Sequence, residues 1–527
     1  MPEGYWCPVL HAHLPYVRHP EHADFLEETW LFEAITETYL PLLEMLDRLR
    51  ADGVAFRLTL TLSPTLLAML RDPLLLGRYE RHLDRVAALS ESEVARTRRE
   101  APAFAAAAAM HRDLFARARR SFRETYARDL VAAFVGHAGD GALQILGCSA
   151  THAVLPLLDA VPEAVRAQVE VGMGHSRAQL GFAPAGFWLP ECAYAPGQEA
   201  FLASAGVRFS FLEEHGVTHA HPRPPHGAQA PVLSPGGVVF FGRDRESSHQ
   251  VWSAEAGYPG DPVYREFHRD AAWDLPLSAL GALAPGGVRR GVGLKYHRVT
   301  GGVDLARKHP YAPEEALARA REHAGHFVSS RQEQVRRRAA GMDRPPLVVS
   351  PYDAELFGHW WFEGPVFLEE VFRRLARQDA LQVVTPLEYL DRHPDCVVAQ
   401  PAQSTWGARG YTEVWLNPAN DWIQPHLDAA AERMVELARR FDRPDGLQRR
   451  ALDQAARELL LAQASDWPFM MTMGTTVAYA RRRVREHLGR FTRLYDGLLA
   501  GTTDESGLRE FEHRDAIFPE ADYRAYR

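Results

Sequence analysis

Short apolar runs recur through most of the chain, and several end in a cluster of polar and aromatic residues. Tyr5 to Leu10, the alternating segment Ala55 to Leu62, Leu143 to Gly147, Val207 to Leu212, Pro346 to Ser350 and Leu381 to Val384 are each of strand length, which predicts buried β-strands. Between them the apolar spacing becomes helical. Thr29 to Arg50 carries Ala34, Ile35, Leu42, Leu43, Leu46 and Leu49 on one stripe, with Pro41 as a candidate kink. Pro313 to Arg338, Pro365 to Gln378 and a segment from Pro386 read as further helices. Strands alternating with helices, with polar clusters at the strand ends, point to a parallel α/β barrel or open sheet whose site lies at the strand C-termini.

Three regions break this rhythm. Residues 65–142 are rich in Ala, Arg, Glu and Leu and predict a mainly helical insertion, with the alanine run Ala101 to Ala109 as plain helix. His215 to Val251 is punctuated by Pro and Gly and reads as loop, with Val238 to Phe241 as half of a hairpin. Beyond Pro401, long helical patterns run from Gln424 to Phe441, Gln448 to Gln463 and, as the last, Val477 to Leu499. The expected organisation is a main α/β domain in two parts, residues 1–64 and 143–400, interrupted by the insertion at 65–142 and followed by a C-terminal helical domain at 401–527.

Candidate chemistry sits where the strands end. Asp353 follows the run Pro346 to Ser350 and opens Asp-Ala-Glu-Leu-Phe-Gly-His-Trp-Trp. Glu191 follows Gly186-Phe187-Trp188-Leu189-Pro190 and precedes Tyr194. Two carboxylates at strand ends among indole and phenol rings suit glycoside chemistry: one attacks the anomeric carbon, the other protonates the leaving oxygen, and the rings stack on sugar faces. His11 and His13 lie two apart after the first strand and face the same way. They are either hydrogen-bonded structural histidines or a metal pair. Cys148 to His152 is another polar cluster at a strand end. Trp406, Trp415, Trp422 and Trp467 stand among Gly, Asn and Asp, which suggests a sugar-stacking wall, although any one tryptophan is more often core.

Composition narrows the partners. The net charge of −8 argues against nucleic acid. Basic residues are nearly all arginine, with Lys295 and Lys308 the lysines, and the runs Arg336 to Arg338 and Arg481 to Arg483 read as solvated helix faces. The four cysteines form no CxxC pair, there is no signal-like N-terminus and no apolar run of membrane length, so the expectation is a cytoplasmic monomer without membrane association.

Five segments together resemble glycoside hydrolase family 57, specifically its glycogen branching enzymes: His11-Ala12-His13-Leu14-Pro15, Thr151-His152, Gly186 to Tyr194, Tyr352 to Trp361, and the Trp406–Trp415–Trp422 region. The resemblance implies an incomplete (β/α)7 TIM-like barrel with a helical insertion and a C-terminal helical domain that completes the active site. It implies a retaining 1,4-alpha-glucan branching enzyme with Glu191 as nucleophile and Asp353 as general acid/base, their carboxyls roughly 5–5.5 Å apart. It further implies that His11, His13, His152, Trp273, Trp406, Trp415 and Asp466, with Trp30 and Trp467, surround the donor glucan. Donor and acceptor would both be alpha-1,4-glucan such as amylose or glycogen, with no cofactor and no metal. One departure stands out. Branching members carry a tyrosine on a mobile loop over the site, whereas this chain has none between Tyr194 and Tyr258; the segment His219 to Pro231 offers His226 and Gln229 instead. That departure implies side hydrolysis. The rival readings are an amylase-like hydrolase of the same family, a metal-dependent carbohydrate deacetylase using His11, His13 and Asp353, and a non-catalytic glucan-binding protein.

Overall fold

The structure, a computed structural model, describes residues 2–253 and 257–527. Ten strands build its sheet: β1 (Gly4–Ala12), β2 (Leu58–Leu62), β3 (Leu143–Cys148), β4 (Gly186–Trp188), β5 (Phe209–Leu212), β6 (Val232–Leu233), β7 (Val239–Gly242), β8 (Leu347–Asp353), β9 (Leu381–Val383) and β10 (Val397–Val398). Their order is β10-β6-β7-β5-β4-β3-β2-β1-β8, with β9 also on β1. From β7 to β8 every neighbouring pair is parallel. The sequence reason is visible in β1, whose residues are buried along its whole length. A strand covered on both faces needs a near-continuous apolar run, and parallel crossovers supply the helices that cover it.

Parallel register gathers the strand ends. His11 lies opposite Thr61 of β2 and Asp353 of β8, so the two ends singled out in the sequence are neighbours. Ser63, Ser149, Glu191 and Arg243 follow the ends of β2, β3, β4 and β7 on the same rim. The backbone N–H of Asp244 donates to Val349 O at 2.7 Å, drawing the far end of β7 against β8 and curling the sheet.

The helix after β1 runs from Glu28 to Ala51 with a π-turn at Ile35–Tyr39. Pro41 does not break it. The Leu40 N–H bonds to Ile35 O in the π-turn, and Pro41 has no N–H to give to Glu37 O. The Glu37 carbonyl lies against Gly358, where a Cβ would come within 1.8 Å of it and where φ is +121°. Only glycine fits there, and it lets the chain after β8 press onto this helix.

Residues between β2 and β3 are helical: Pro64–Met69, Pro73–Glu100, Ala105–Arg120 and Leu130–Gly139. The alanine run is not one helix, because Pro102 starts a separate 3-10 turn and the next helix begins at Ala105. The hairpin half expected at Val238 to Phe241 is an integral strand: β7 pairs antiparallel with β6 and also parallel with β5. After β10 come helices Gln424–Arg440, Gly446–Ala462, Asp466–Met473, Val477–Ala500 and Glu505–Arg514; the third and the last are not predicted by the apolar pattern. Their apolar faces continue the core that covers the sheet. Arg483 is not on a solvated face. It is buried and paired with Asp515 at 3.5 Å, whereas Arg336 and Arg337 are exposed as expected. No helix among the described residues is long and apolar enough to cross a membrane.

Candidate active site

At the C-terminal rim of the sheet lies a cavity of about 640 Å³. Glu191, Asp353, Glu355, His11, His13, His152, Asp466, Trp30, Trp406 and Trp415 all line it. The structure therefore gathers nine of the eleven residues singled out in the sequence; Trp273 and Trp467 lie elsewhere. Trp467 is fully buried, its indole N–H donating to Leu461 O at 2.8 Å and its ring edge-on to Tyr479, so it is core. Trp273 is 59% exposed and does not reach the cavity. The cause is Asp270, whose buried carboxylate accepts from the N–H groups of Ala272, Val292 and Gly293 and fixes a turn that throws Trp273 outward.

Glu191 sits in a strained turn. Its φ is 61° and that of Cys192 is 48°, in the left-handed region that costs a non-glycine residue about 1–3 kcal/mol. The turn is held by a strap from beyond β10. Tyr194 and Ser404 bridge antiparallel, the Trp406 backbone N–H bonds to Glu191 O at 3.0 Å, and the Trp406 indole N–H donates to Glu191 Oε2 at 2.7 Å. The Ser465 hydroxyl lies 3.3 Å from Oε1.

The histidines form a stack. His13 and His152 have ring centroids 3.9 Å apart, and His11 and His152 share a 2.9 Å Nε2–Nε2 hydrogen bond. His152, itself at φ 58°, has Nδ1 2.8 Å from Ser465 Oγ. Burial, with neighbouring imidazoles as the lesser cause, holds His11 and His152 well below the usual histidine range, so both are neutral. One proton arrangement leaves no buried N–H unpaired: His11 Nε2–H donates to His152 Nε2, His152 Nδ1–H donates to Ser465 Oγ, and the Ser465 O–H donates to Glu191. It leaves His11 Nδ1 as a bare acceptor, the one ring nitrogen of this stack with no partner. His13 hydrogen-bonds Ser63 at 2.9 Å and Asp466 at 3.1 Å.

The two carboxyls differ in what they receive. Burial pushes the Glu191 carboxyl up to about 7, the Trp406 N–H opposes it, and Asp466 adds to the rise. Burial raises Asp353 well above the usual carboxylate range, with Glu355 and then Glu191 adding to it and the Arg243 guanidinium opposing. Asp353 accepts no hydrogen bond among the described residues, so Glu191 is the better-stabilised anion and Asp353 the better-kept acid. Replacing Trp406 by Phe removes a donor that favours ionised Glu191. The acid limb of the kcat/KM–pH profile should then move up by about one unit, which initial rates across a pH series would show.

Four further residues line the cavity: Trp252 and Arg243 carried no signal in the sequence, whereas Trp360 and Glu355 stand in the segment that opens with Asp353. Trp252, at the end of the helix Arg245–Trp252, is 41% exposed; it lies 6.5 Å from Trp406 at 22° and 6.2 Å from Trp360. Trp360 is 43% exposed. Arg243 pairs with Glu213 at 3.0 Å and lies over the Trp406 ring. Glu355 accepts the Tyr39 hydroxyl at 2.6 Å and the His13 N–H at 3.2 Å. The segment His219 to Pro231 is not over the cavity. His221 is bonded to Gln400 through the backbone, His226 pairs with Asp343 ahead of β8, Gln229 is buried, and none of these residues lines the space. The metal triad His11–His13–Asp353 does not assemble. Among the described residues the one cluster able to hold a cation is Glu458, His487 and Asp515, where Arg483 and Arg490 already supply positive charge.

A parallel sheet bearing two unlike, partly buried carboxyls in an indole-walled cavity is the frame of an enzyme that works on glycosidic bonds. Comparison with known proteins makes the class specific: the sequence pattern of glycosyl hydrolase family 57 matches residues 9–400, and that of the 1,4-alpha-glucan branching enzyme C-terminal region matches residues 426–526. The chain belongs to glycoside hydrolase family 57. It is 34% identical to a 1,4-alpha-glucan branching enzyme of Thermococcus kodakarensis, over 98% of this chain and 77% of that one. Among solved structures it is similar to an alpha-amylase of Thermotoga maritima (42% identity, TM-score 0.93, 100% and 99% of the two chains). It is also similar to the GH57-type branching enzyme of Pyrococcus horikoshii (34% identity, TM-score 0.89, 99% and 97%).

Proposed function

We propose that this chain is a 1,4-alpha-glucan branching enzyme that cleaves an alpha-1,4-glucan and transfers the released segment to a glucan 6-hydroxyl. The observation that carries the reading is the unlike pair, Glu191 hydrogen-bonded as an anion and Asp353 kept as an acid in one cavity. Asp353 gives its proton to the departing glucosidic oxygen while Glu191 attacks the anomeric carbon and forms a glycosyl-enzyme. Asp353, now a base, takes the proton of the acceptor 6-hydroxyl as that oxygen attacks, and Glu191 leaves. Neutral His11, His152 and Ser465 hold Glu191 in place, and His13 with Asp466 offers polar contacts to the donor. Trp30, Trp406 and Trp415 supply stacking surface. In fold terms the proposal includes a (β/α)7 barrel interrupted by the helices of residues 65–142 and completed by the region after residue 400.

A second reading, hydrolysis through the same intermediate, is favoured by the likeness to the Thermotoga maritima alpha-amylase. Water reaching the glycosyl-enzyme in place of a glucan gives a reducing end. Trp252 and Trp360 are half-exposed, and the segment from 195 to 253 places no tyrosine over the cavity. We expect amylose treated with the pure protein to gain alpha-1,6 linkages and, more slowly, reducing ends. Counting both with a debranching enzyme and a reducing-sugar assay decides it: reducing ends without new branches make the protein a hydrolase.

A further inference from the structure

Part of the cavity wall contains a charged chain that the double displacement does not use. Glu37 is buried in the π-turn; its carboxylate accepts from Arg265 Nη1 at 2.7 Å and from His359 Nδ1 at 2.8 Å. Burial alone would raise this carboxyl, but Arg265 and the His359 hydrogen bond outweigh it and keep Glu37 ionised. Arg265 also donates Nη2 to the His359 carbonyl at 3.0 Å. The neighbouring Gly358 lies on Glu37 O, where any side chain would collide. His359 is thus fixed by backbone and ring alike, with its proton on Nδ1.

The fixing leaves Nε2 as the free ring nitrogen. It faces Glu33 Oε2 at 3.8 Å, beyond hydrogen-bond reach, and both residues line the cavity. Phe267 stands edge-on to the imidazole at 5.0 Å. An imidazole nitrogen without a hydrogen-bond partner and a carboxylate, both lining the cavity, suit a ligand whose hydroxyls can donate and accept. The side of the cavity is also defined. His359 belongs to the segment that leaves β8 through Asp353, whereas Glu191 is embraced by Trp406 and Ser465. An acid/base stands over the bond to the leaving sugar, and the accepting sugar later occupies that same place.

We propose that His359 and Glu33 form an acceptor-recognition pair that binds hydroxyls of the incoming glucan, with Glu37 and Arg265 as positioning residues. The proposal rests on the branching reading. The decisive variants are His359→Asn, His359→Gln and Glu33→Gln. Asn can keep the bond to Glu37 but lacks an atom at Nε2; Gln can reach the Nε2 position but gives up the bond to Glu37. His359→Asn and Glu33→Gln should lower alpha-1,6 linkages formed per reducing end by about tenfold, and raise the KM for a labelled maltooligosaccharide acceptor. His359→Gln should recover part of the ratio. If His359→Asn keeps the wild-type ratio while His359→Gln loses it, the imidazole serves only to tie the turn to Glu37, and the pair is overturned. Wild-type protein that forms reducing ends but no alpha-1,6 linkages sinks the branching reading and the pair together. A branching wild type with unchanged ratios in His359→Asn and Glu33→Gln sinks only the pair.

Discussion

Glu191→Gln should abolish turnover on amylose, by at least about 10⁴-fold, and should also make the protein more resistant to heat at neutral pH. The first effect is the loss of the attacking oxygen anion. The second follows from the environment that makes Glu191 useful. Its carboxyl stands at about 7 against an ordinary 4.5, with burial the largest cause. A carboxyl whose folded value is raised disfavours the folded state in its ionised form. The cost is absent below pH 4.5, grows between 4.5 and 7, and levels off above 7 at about 3 kcal/mol. Glutamine has nearly the same shape, keeps an oxygen for the Trp406 indole N–H, and carries no charge to bury. Melting curves at pH 8 should therefore show a gain of a few degrees that vanishes near pH 4. A gain of equal size at both values would mean that the turn's backbone strain, not the buried charge, is what the substitution relieves.

Asp353→Asn should show a different pattern. General acid assistance is worth about 10²–10⁴-fold, and it matters most when the leaving group is a poor one such as a sugar alkoxide. The variant should lose about that factor on amylose yet form the glycosyl-enzyme readily from an aryl glycoside, whose phenolate departs without a proton. The second step would then stall, because no base prepares the acceptor, and a burst of phenol followed by slow turnover is the expected trace. Equal losses on both substrates, without a burst, would remove Asp353 from the acid/base role. Glu355 bears on the same measurement: its charge is the second cause, after burial, that raises Asp353, so a neutral residue there should bring the basic limb of the pH profile down.

The parts of the site that could be read in the sequence are those whose signal is local. Glu191 and Asp353 each follow an apolar strand, and a parallel sheet carries every such end to one rim, so their meeting needed only the strand pattern. His11 and His13 were legible for the same reason. What escaped depends on distant contacts. Trp406 and Trp467 stand in similar polar surroundings, but Trp406 meets Glu191 while Trp467 faces its own helices, and no local pattern separates an indole that lines a cavity from one that fills a core. Trp273 was misplaced because the Asp270 turn is tied to residues 292 and 293, remote in sequence. β7 was legible as half of a hairpin, and β6 pairs with it antiparallel, but its parallel pairing with β5, which joins it to the main sheet, is a distant contact. Arg483 looked solvated within an arginine run because its partner, Asp515, lies just past the end of the next helix.

The strap that holds Glu191 has a consequence for how the enzyme comes into being. A ribosome delivers β4 and the Glu191 turn well before it delivers Ser404 to Trp406 and Ser465. Until then the left-handed turn is held only by its local bonds from Cys192 N–H to Leu189 O and Ala193 N–H to Pro190 O, no indole N–H favours the carboxylate, and His152 lacks the hydroxyl that links it to Glu191. A growing chain therefore carries Glu191 out of the tunnel before its side-chain hydrogen-bond donors Trp406 and Ser465 exist. The surroundings of Glu191 are complete only once the last quarter of the chain, from Ser404 onward, has folded against it.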